Sequence, residues 1–247
     1  MRKFGLIGKN IDYSFSRQYF RDKFEAENIA ATYVNFDCAF AKAIAELFNT
    51  RTDVEGFNVT IPYKEQVIDL LDELDPTAAA IGAVNTIKRL PSGALVGYNT
   101  DHYGFRESLL PLLKDHHQDA LILGTGGASK AVAYALDTLE INYQYVSRTQ
   151  GADRLTYSDL NAALISDHPI IINTTPLGTH PNVEQAPELP YLFLGEAHLL
   201  YDLVYNPPLT RFLKQGQERG ATIINGKRML ELQAERAWEI WTSQDQQ

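Results

Sequence analysis

The stretch ALILGTGGASKAVAYAL, residues 120–136, decides the fold. Four apolar residues, Ala120, Leu121, Ile122 and Leu123, run into Gly124-Thr125-Gly126-Gly127, and an alanine-rich segment follows over 128–139. A short, continuous apolar run bounded by glycine predicts a buried strand, and the alanine-rich segment predicts a helix. Gly124, Gly126 and Ser129 fit the spacing G-x-G-x-x-small, and Gly127 and Ala128 complete the loop. Glycines there allow a tight turn and a close backbone approach to a pyrophosphate, while the helix start offers N–H groups and a partial positive charge. A plain strand-to-helix turn has the same spacing. The flanking strand and helix are what favour the nucleotide reading.

Working outward toward the C-terminus, strand-like runs recur at 143–146, 170–173, 199–204 and 221–224, with helical patterns between most of them. That alternation predicts a parallel α/β layer. A last helix over 227–242 carries Leu230, Ala234, Ala237 and Trp241 on one stripe. The strand after the glycine loop ends in Ser147-Arg148-Thr149. An acidic residue at this place accepts from the ribose hydroxyls of NAD; a guanidinium suits a 2′-phosphate, so NADP is favoured. The plainer reading is a solvated surface arginine.

Toward the N-terminus the pattern is more mixed. Phe4, Leu6 and Ile7 lead to Gly8, and 17–27 reads as a helix. Residues 32–36 alternate like a strand, 41–48 reads as a helix and 54–59 as a strand. Val67, Leu70, Leu71 and Leu74 predict an amphipathic helix, with Pro62 near its start and Asp75-Pro76 ending it. Segments 83–90 and 94–98 flank Pro91-Ser92-Gly93, a hairpin signal. A helix is expected from Asp101 to about Leu113, followed by a polar loop over 114–118.

The chain has 247 residues, 45% hydrophobic and 21% charged, which suits one large or two small globular domains. Its net charge of -9 argues against nucleic-acid and anionic-membrane partners. An anionic ligand must therefore be held by local donors. No apolar run approaches the roughly 18 residues of a membrane span, and MRKFGLIGKN lacks a signal-peptide pattern. The single cysteine, Cys38, permits no intrachain disulfide, fits a reducing compartment and reads as a small buried residue. The six histidines make no metal pattern, so no metal is expected.

Chemistry concentrates around GFNVTIPYKEQ, residues 56–66, where Lys64 stands among small polar groups. An ammonium can donate to a carbonyl oxygen as charge grows there and give up a proton, and a nearby Asp101 would orient it. Taken alone, Lys64 and Asp101 read equally as a solvated lysine and a helix cap. Ser16 reads as the N-cap of the helix from Arg17, a role compatible with holding a carboxylate. Asn58 and Asn85, at strand ends, serve either a ligand or neighbouring backbone. Gln233, beside apolar Leu230, Ala234 and Ala237, needs a partner.

Together the segments resemble the shikimate dehydrogenase family, in a short form. The matches are Tyr13-Ser14-Phe15-Ser16; residues 56–64; Gly82-Ala83-Val84-Asn85-Thr86; Gly97-Tyr98-Asn99-Thr100-Asp101; Gly124-Thr125-Gly126-Gly127-Ala128; residues 173–178; Asp202-Leu203-Val204-Tyr205-Asn206-Pro207; and Gly226 with Met229, Leu230 and Gln233. The resemblance implies NADPH-dependent reduction of 3-dehydroshikimate to shikimate, in aromatic amino-acid biosynthesis. It implies Lys64 and Asp101 as the catalytic pair; Ser14 and Ser16 on the substrate carboxylate; and Thr60, Asn85, Tyr205 and Gln233 as further substrate contacts. It implies Gly124, Gly126, Gly127, Ala128, Ser147, Arg148, Thr149, Thr174 and Met229 at the cofactor.

The chain departs from the family in three places. Tyr13 and Arg17 stand where His and Pro are usual, Ser147 replaces Asn, and only residues 150–157 separate Arg148 from the next helical stretch. The expected fold is α/β with two domains and a cleft between them. A mixed-sheet substrate domain, 1–101, is rejoined by 225–247, and a Rossmann-like NADP-binding domain covers 102–224. A cytoplasmic monomer or homodimer is expected. The nearest alternative is a quinate/shikimate dehydrogenase using NAD or NADP, and a more distant one a non-catalytic NADP-binding sensor.

Overall fold

The computed structural model describes residues 1–11 and 14–243, so Tyr13 of the first motif lies outside the described residues. Two compact units are present: Met1–Asp101 with Gln233–Gln247, and His102–Leu232.

The first unit contains β1 (Arg2–Gly8), α1 (Phe15–Ala26), β2 (Ala31–Asp37), α2 (Lys42–Thr50), β3 (Gly56–Val59), β4 (Glu73–Leu74), α3 (Pro76–Ile81), β5 (Thr86–Arg89) and β6 (Leu95–Tyr98). Its sheet has the order β2-β1-β3-β5-β6-β4. β1 pairs in parallel with β2 and β3, whereas β5 runs antiparallel to both β3 and β6. One face of this sheet buries Phe57, Val59, Ile87 and Leu95 against Ile44 and Phe48 of α2. The other packs Phe4, Leu6 and Tyr33 against Phe20 and Phe24 of α1 and against Ala234, Ala237 and Trp241.

Those last three residues belong to α8 (Lys227–Thr242), the helix expected from its apolar stripe. The Trp241 indole N–H donates to Ile87 O at 2.9 Å. The ring lies so close to Gly56 that a Cβ there would sit 2.4 Å from Nε1, which accounts for a glycine at the start of β3.

The helix expected from the spacing of Val67, Leu70, Leu71 and Leu74 does not form. Residues 61–62 and 64–67 form turns, Ile68–Leu70 a single 3₁₀ turn, and Glu73–Leu74 the edge strand β4, parallel to β6. Tertiary pairing overrides the periodicity. The Asp72 carboxylate accepts Leu95 N–H at 2.7 Å, and Leu71 and Leu74 close over Gly97. Asp75-Pro76 opens a helix rather than closing one: the Asp75 side chain accepts from Thr77 N–H, and Pro76 takes the first position of α3.

The second unit contains α4 (Asp101–Leu109, whose first residue belongs to the first unit), β7 (Asp119–Leu123), α5 (Gly127–Thr138), β8 (Asn142–Ser147), β9 (Arg154–Thr156), α6 (Ala162–Asp167), β10 (Ile170–Asn173), β11 (Leu199–Asp202), α7 (Arg211–Gln217), β12 (Thr222–Asn225) and the start of α8. α4 is shorter than expected, giving way to a 3₁₀ turn at Leu110–Leu112 that contains Pro111. The sheet order is β12-β11-β10-β7-β8-β9, parallel throughout. β7 moves one way to β8 and β9, and the chain then returns to β10 on its other side. The two halves of the sheet thus diverge between β7 and β10, the place where open α/β sheets bind ligands beyond their strand ends. β9 is not signalled by the sequence. It pairs Tyr145 with Arg154 and Ser147 with Thr156 after a helix-free connection over 148–153.

Candidate functional site

In the first unit the predicted side chains gather at the ends of β3, β5 and β6. Lys64 lies in the turns after β3, and its carbonyl accepts Val84 N–H at 2.7 Å, which ties its backbone to the segment leading into β5. Asp101 opens α4, its N–H held by Asn99 Oδ1 at 3.1 Å, while Asn99 Nδ2 donates to Ala83 O at 2.9 Å. The two side chains meet: Lys64 Nζ donates to Asp101 Oδ2 at 2.6 Å. Lys64 is 17% exposed and Asp101 9%, so the contact is shielded yet the amine can be reached. The other carboxylate oxygen, Oδ1, accepts from Asn85 Nδ2 at 2.9 Å. With both oxygens bonded, the carboxylate cannot swing, and the ammonium is aimed with it.

Asn85 is itself oriented without ambiguity. Its Oδ1 accepts Thr100 N–H at 2.7 Å, and a backbone N–H can only donate, so Nδ2 must face Asp101. The same Nδ2 lies 3.4 Å from Gln233 Oε1 and 3.0 Å from Thr100 Oγ1. Gln233 therefore finds buried partners, as its apolar neighbours required. Asn58 Nδ2 donates to Asn85 O and Thr86 Oγ1, and Asn58 Oδ1 accepts from the Tyr33 hydroxyl at 2.8 Å. Thr60 follows β3 directly, half-buried, with its N–H on Ile7 O at 2.9 Å.

The N-cap of α1 is Ser14, not Ser16. Ser14 is extended, and its Oγ accepts Arg17 N–H at 3.3 Å. Ser16 lies within the first turn of α1, free of that duty.

The second unit carries the remaining predicted residues. Gly124, at the end of β7, has φ +109°, and a Cβ on it would lie 2.8 Å from Thr174 Oγ1. Only glycine allows both. Thr174 follows β10 and donates from Oγ1 to Leu123 O at 2.7 Å, so the two diverging strands meet at this loop. Gly126 caps α5 with no side-chain hydrogen bond, and nothing lies within 4 Å of where its Cβ would be. Gly127 and Ala128 form the first turn of α5, and Ser129 Oγ donates to Gly126 O at 2.6 Å.

At the end of β8, Thr149 N–H donates to Ser147 Oγ at 3.3 Å, and Arg148 between them is exposed. An uncapped helix start, an open glycine face and an exposed guanidinium on the neighbouring strand form a donor set suited to a dinucleotide bearing an extra phosphate. Met229 is buried among Phe105, Ile122 and Val132. Tyr205 is half-buried after β11, and burial raises its phenol.

Sequence reasoning passed over one group in this unit. Asp202 is fully buried; Oδ1 accepts from Asn173 Nδ2 at 2.9 Å and Val204 N–H at 3.0 Å, and Oδ2 from Thr210 Oγ1 at 2.5 Å. Asn173 Oδ1 in turn accepts Thr175 N–H at 3.0 Å. One carboxylate thus ties together the loops that carry Thr174 and Tyr205. Burial, partly offset by these bonds, raises it to about 6. The signal was present in the quoted run from Asp202 to Pro207, in an acid ending an otherwise apolar strand. Among the described residues, no group of three His, Cys, Asp or Glu is placed to hold a metal ion.

Residues 6–87 match the model of the shikimate dehydrogenase substrate binding domain. Over the full length, the chain is similar to shikimate dehydrogenase (NADP(+)) of Desulforamulus reducens, 36% identical, covering 96% of this chain and 89% of the relative. Among solved structures it is similar to shikimate 5-dehydrogenase from Thermus thermophilus in complex with NADP(H) and shikimate. The TM-score there is 0.86 at 29% identity, covering 98% of this chain and 94% of the other. It is also similar to quinate dehydrogenase from Corynebacterium glutamicum in complex with NAD, with TM-score 0.84, 27% identity and coverage of 98% and 93%.

Proposed function

The chain belongs to the shikimate dehydrogenase family, and from that premise we propose that it reduces 3-dehydroshikimate to shikimate with NADPH, reversibly, in the supply of aromatic amino acids. The observation that carries the reading is the Lys64–Asp101 contact, 2.6 Å long, shielded and fixed from behind by Asn85. NADPH, when bound, supplies a hydride to the carbonyl carbon. The protein must then bind the ring, orient it and deliver one proton to the carbonyl oxygen.

Lys64 takes the last task. Its ammonium donates to the oxygen as negative charge develops and releases its proton there, while Asp101 holds it in line. In the reverse direction the neutral amine accepts the hydroxyl proton, so each half-cycle returns Lys64 to its starting form after exchange with solvent. Ser14 and Ser16 hold the carboxylate, and Thr60, Asn85, Tyr205 and Gln233 hold the ring hydroxyls. The N-terminal turn of α5, with Gly124, Gly126, Gly127 and Ala128, holds the pyrophosphate. Ser147, Arg148 and Thr149 hold the 2′-phosphate, and Thr174 and Met229 lie toward the nicotinamide.

Arg148 favours NADP over the NAD of the quinate relative, because a guanidinium pairs with a phosphate and not with a ribose hydroxyl acceptor site. We place the activity in the cytoplasm, in a monomer or homodimer; no helix among the described residues is long and apolar enough to cross a membrane. The test is spectrophotometric: shikimate oxidation with NADP and NAD in parallel, quinate as control. Turnover of quinate with NAD at the rate of shikimate with NADP overturns the assignment. NADPH binding without any turnover leaves the non-catalytic sensor.

A further inference from the structure

Lys64 and Asp101 stand 37 residues apart in sequence, so something must set the distance between their backbones. The strand ladder stops short of them. β5 and β6 pair up to Thr86 and Tyr98, with Asn85 N–H on Tyr98 O at 3.1 Å. Beyond that point side chains take over. Asn85 Oδ1 accepts Thr100 N–H, and Asn99 Nδ2 donates to Ala83 O at 2.9 Å.

Ala83 O and Val84 N–H are the two ends of one peptide group. That N–H donates to Lys64 O at 2.7 Å. A peptide group is planar and stiff, so this one acts as a strut, with the Lys64 backbone on one edge and the Asn99 side chain on the other. Asn99 Oδ1 carries the connection on by accepting Asp101 N–H at 3.1 Å. The Lys64 Nζ–Asp101 Oδ2 contact at 2.6 Å then closes the loop.

The orientation of the Asn99 amide is fixed. Asp101 N–H can only donate and Ala83 O can only accept, so Oδ1 faces the first and Nδ2 the second. Asn99 is 4% exposed and Ala83 is fully buried, so bulk solvent does not make good a lost bond. The two asparagines divide the work on Asp101. Asn85 holds the direction of its carboxylate, and Asn99 holds the place of its backbone. Asparagine meets both demands on residue 99. An ionised aspartate would set acceptor against acceptor at Ala83 O, and a serine has one polar atom for two partners.

We propose that Asn99 is a positioning residue that sets the spacing of Lys64 and Asp101 through the 83–84 peptide group. The inference rests on the reading of those two residues as the proton-delivering pair, and the experiment separates the two. Asn99→Ser is expected to lower kcat roughly ten- to hundredfold, the scale of a misplacement of about 1 Å at a reacting group. The KM values for shikimate and NADP are expected within about threefold of wild type. In an Asp101→Asn background the same change should cost less than about twofold, since no carboxylate is then left to place. Effects that multiply instead, or a KM that rises while kcat holds, overturn the proposal.

Asn99→Asp adds a proton-dependent readout that packing damage lacks. Burial and the neighbouring Asp101 carboxylate favour its neutral form. A protonated carboxyl donates to Ala83 O and accepts from Asp101 N–H as the amide did. Its kcat relative to wild type should therefore recover several-fold as pH falls from about 9 to about 6, while the ratio for Asn99→Ser stays level. A level ratio for both variants overturns the proposal.

Near-normal turnover by Lys64→Ala removes the pair, and this role with it. Lys64→Ala without turnover, beside an Asn99→Ser of wild-type kcat, overturns the Asn99 role alone. If neither Asn99 variant accumulates as folded protein, Asn99 is a requirement of the fold rather than of the pair, and the proposal falls as well.

Discussion

Asp202→Asn should make the protein's stability less dependent on pH, and the sign can be worked out. The carboxylate is fully buried, and its pKa rises from 3.8 to about 6 in the folded chain. Between those values the folded state holds a proton that the unfolded state has released, so stability falls as pH rises through the window. The full difference is about 3 kcal/mol, of which about 2 kcal/mol falls between pH 4.5 and 7.5. Asparagine keeps an oxygen for Asn173 Nδ2 and Val204 N–H, and its NH₂ can donate to Thr210 Oγ1 where the carboxylate accepted. It carries no charge, so this slope should vanish.

Urea unfolding followed by circular dichroism at pH 4.5, 6.0 and 7.5 measures it. Wild type should lose about 2 kcal/mol more than the variant across the series. The two tryptophans, Trp238 and Trp241, both lie in the first unit, so their fluorescence gives a separate signal for the part of the chain that lacks Asp202. Parallel pH profiles for wild type and Asp202→Asn would refute the reasoning: Asp202 would then be no harder to ionise folded than unfolded.

Lys64→Ala should lower kcat on the order of a thousandfold while changing the shikimate Kd little, since the lost group acts mainly where charge develops; near-normal turnover removes it from the mechanism. Arg148→Ala should raise the KM for NADP roughly ten- to hundredfold, as expected for one charge-assisted bond, with NAD within about twofold; equal weakening defeats the phosphate assignment. Gly226→Ala should destabilise by about 3 kcal/mol or fail to accumulate, because its Cβ would lie 2.1 Å from Leu203 O, and backbone cannot yield as a side chain can; an unchanged urea midpoint would contradict this.

The parts of the fold legible in the sequence are those where local and tertiary preferences agree. β7, the glycine turn and α5 are one such part, because a buried parallel strand is apolar throughout and the turn needs Gly124 at positive φ. α8 is another, since the stripe of Ala234, Ala237 and Trp241 is the face that meets β1 and α1. The segment after Lys64 was misread because four leucine-type residues at helical spacing can equally be buried one by one from turns. What decides is Leu95 N–H reaching the Asp72 carboxylate, a partner distant in sequence. β9 was missed for the reverse reason: Arg154, Leu155 and Thr156 are too few to show a period, and their pairing with β8 supplies the strand. The N-cap of α1 slipped by two residues because Ser14 and Ser16 are equally able to cap, and only the backbone of Ser14, extended at ψ 125°, distinguishes them.

The chemistry-bearing residues were legible as types, and their partners were not. Nothing in the sequence places Tyr33 or Thr86 beside Asn58, because these contacts join β2, β3 and β5 across the sheet. The cluster is also hard to explain by stability. Asn58, Asn85, Thr86, Asn99, Thr100, Asp101 and Gln233 are all buried. A satisfied buried network returns little more than apolar packing of the same volume, and breaking one member leaves the others unpaired. What such a network does supply is direction. Thr100 N–H fixes the Asn85 amide, Asn85 fixes one oxygen of Asp101, and the other oxygen fixes the Lys64 ammonium. In a chain of net charge -9, a lysine left to solvent would be drawn toward many carboxylates. Holding it to one carboxylate, itself unable to turn, is what allows a single amine to meet a single oxygen.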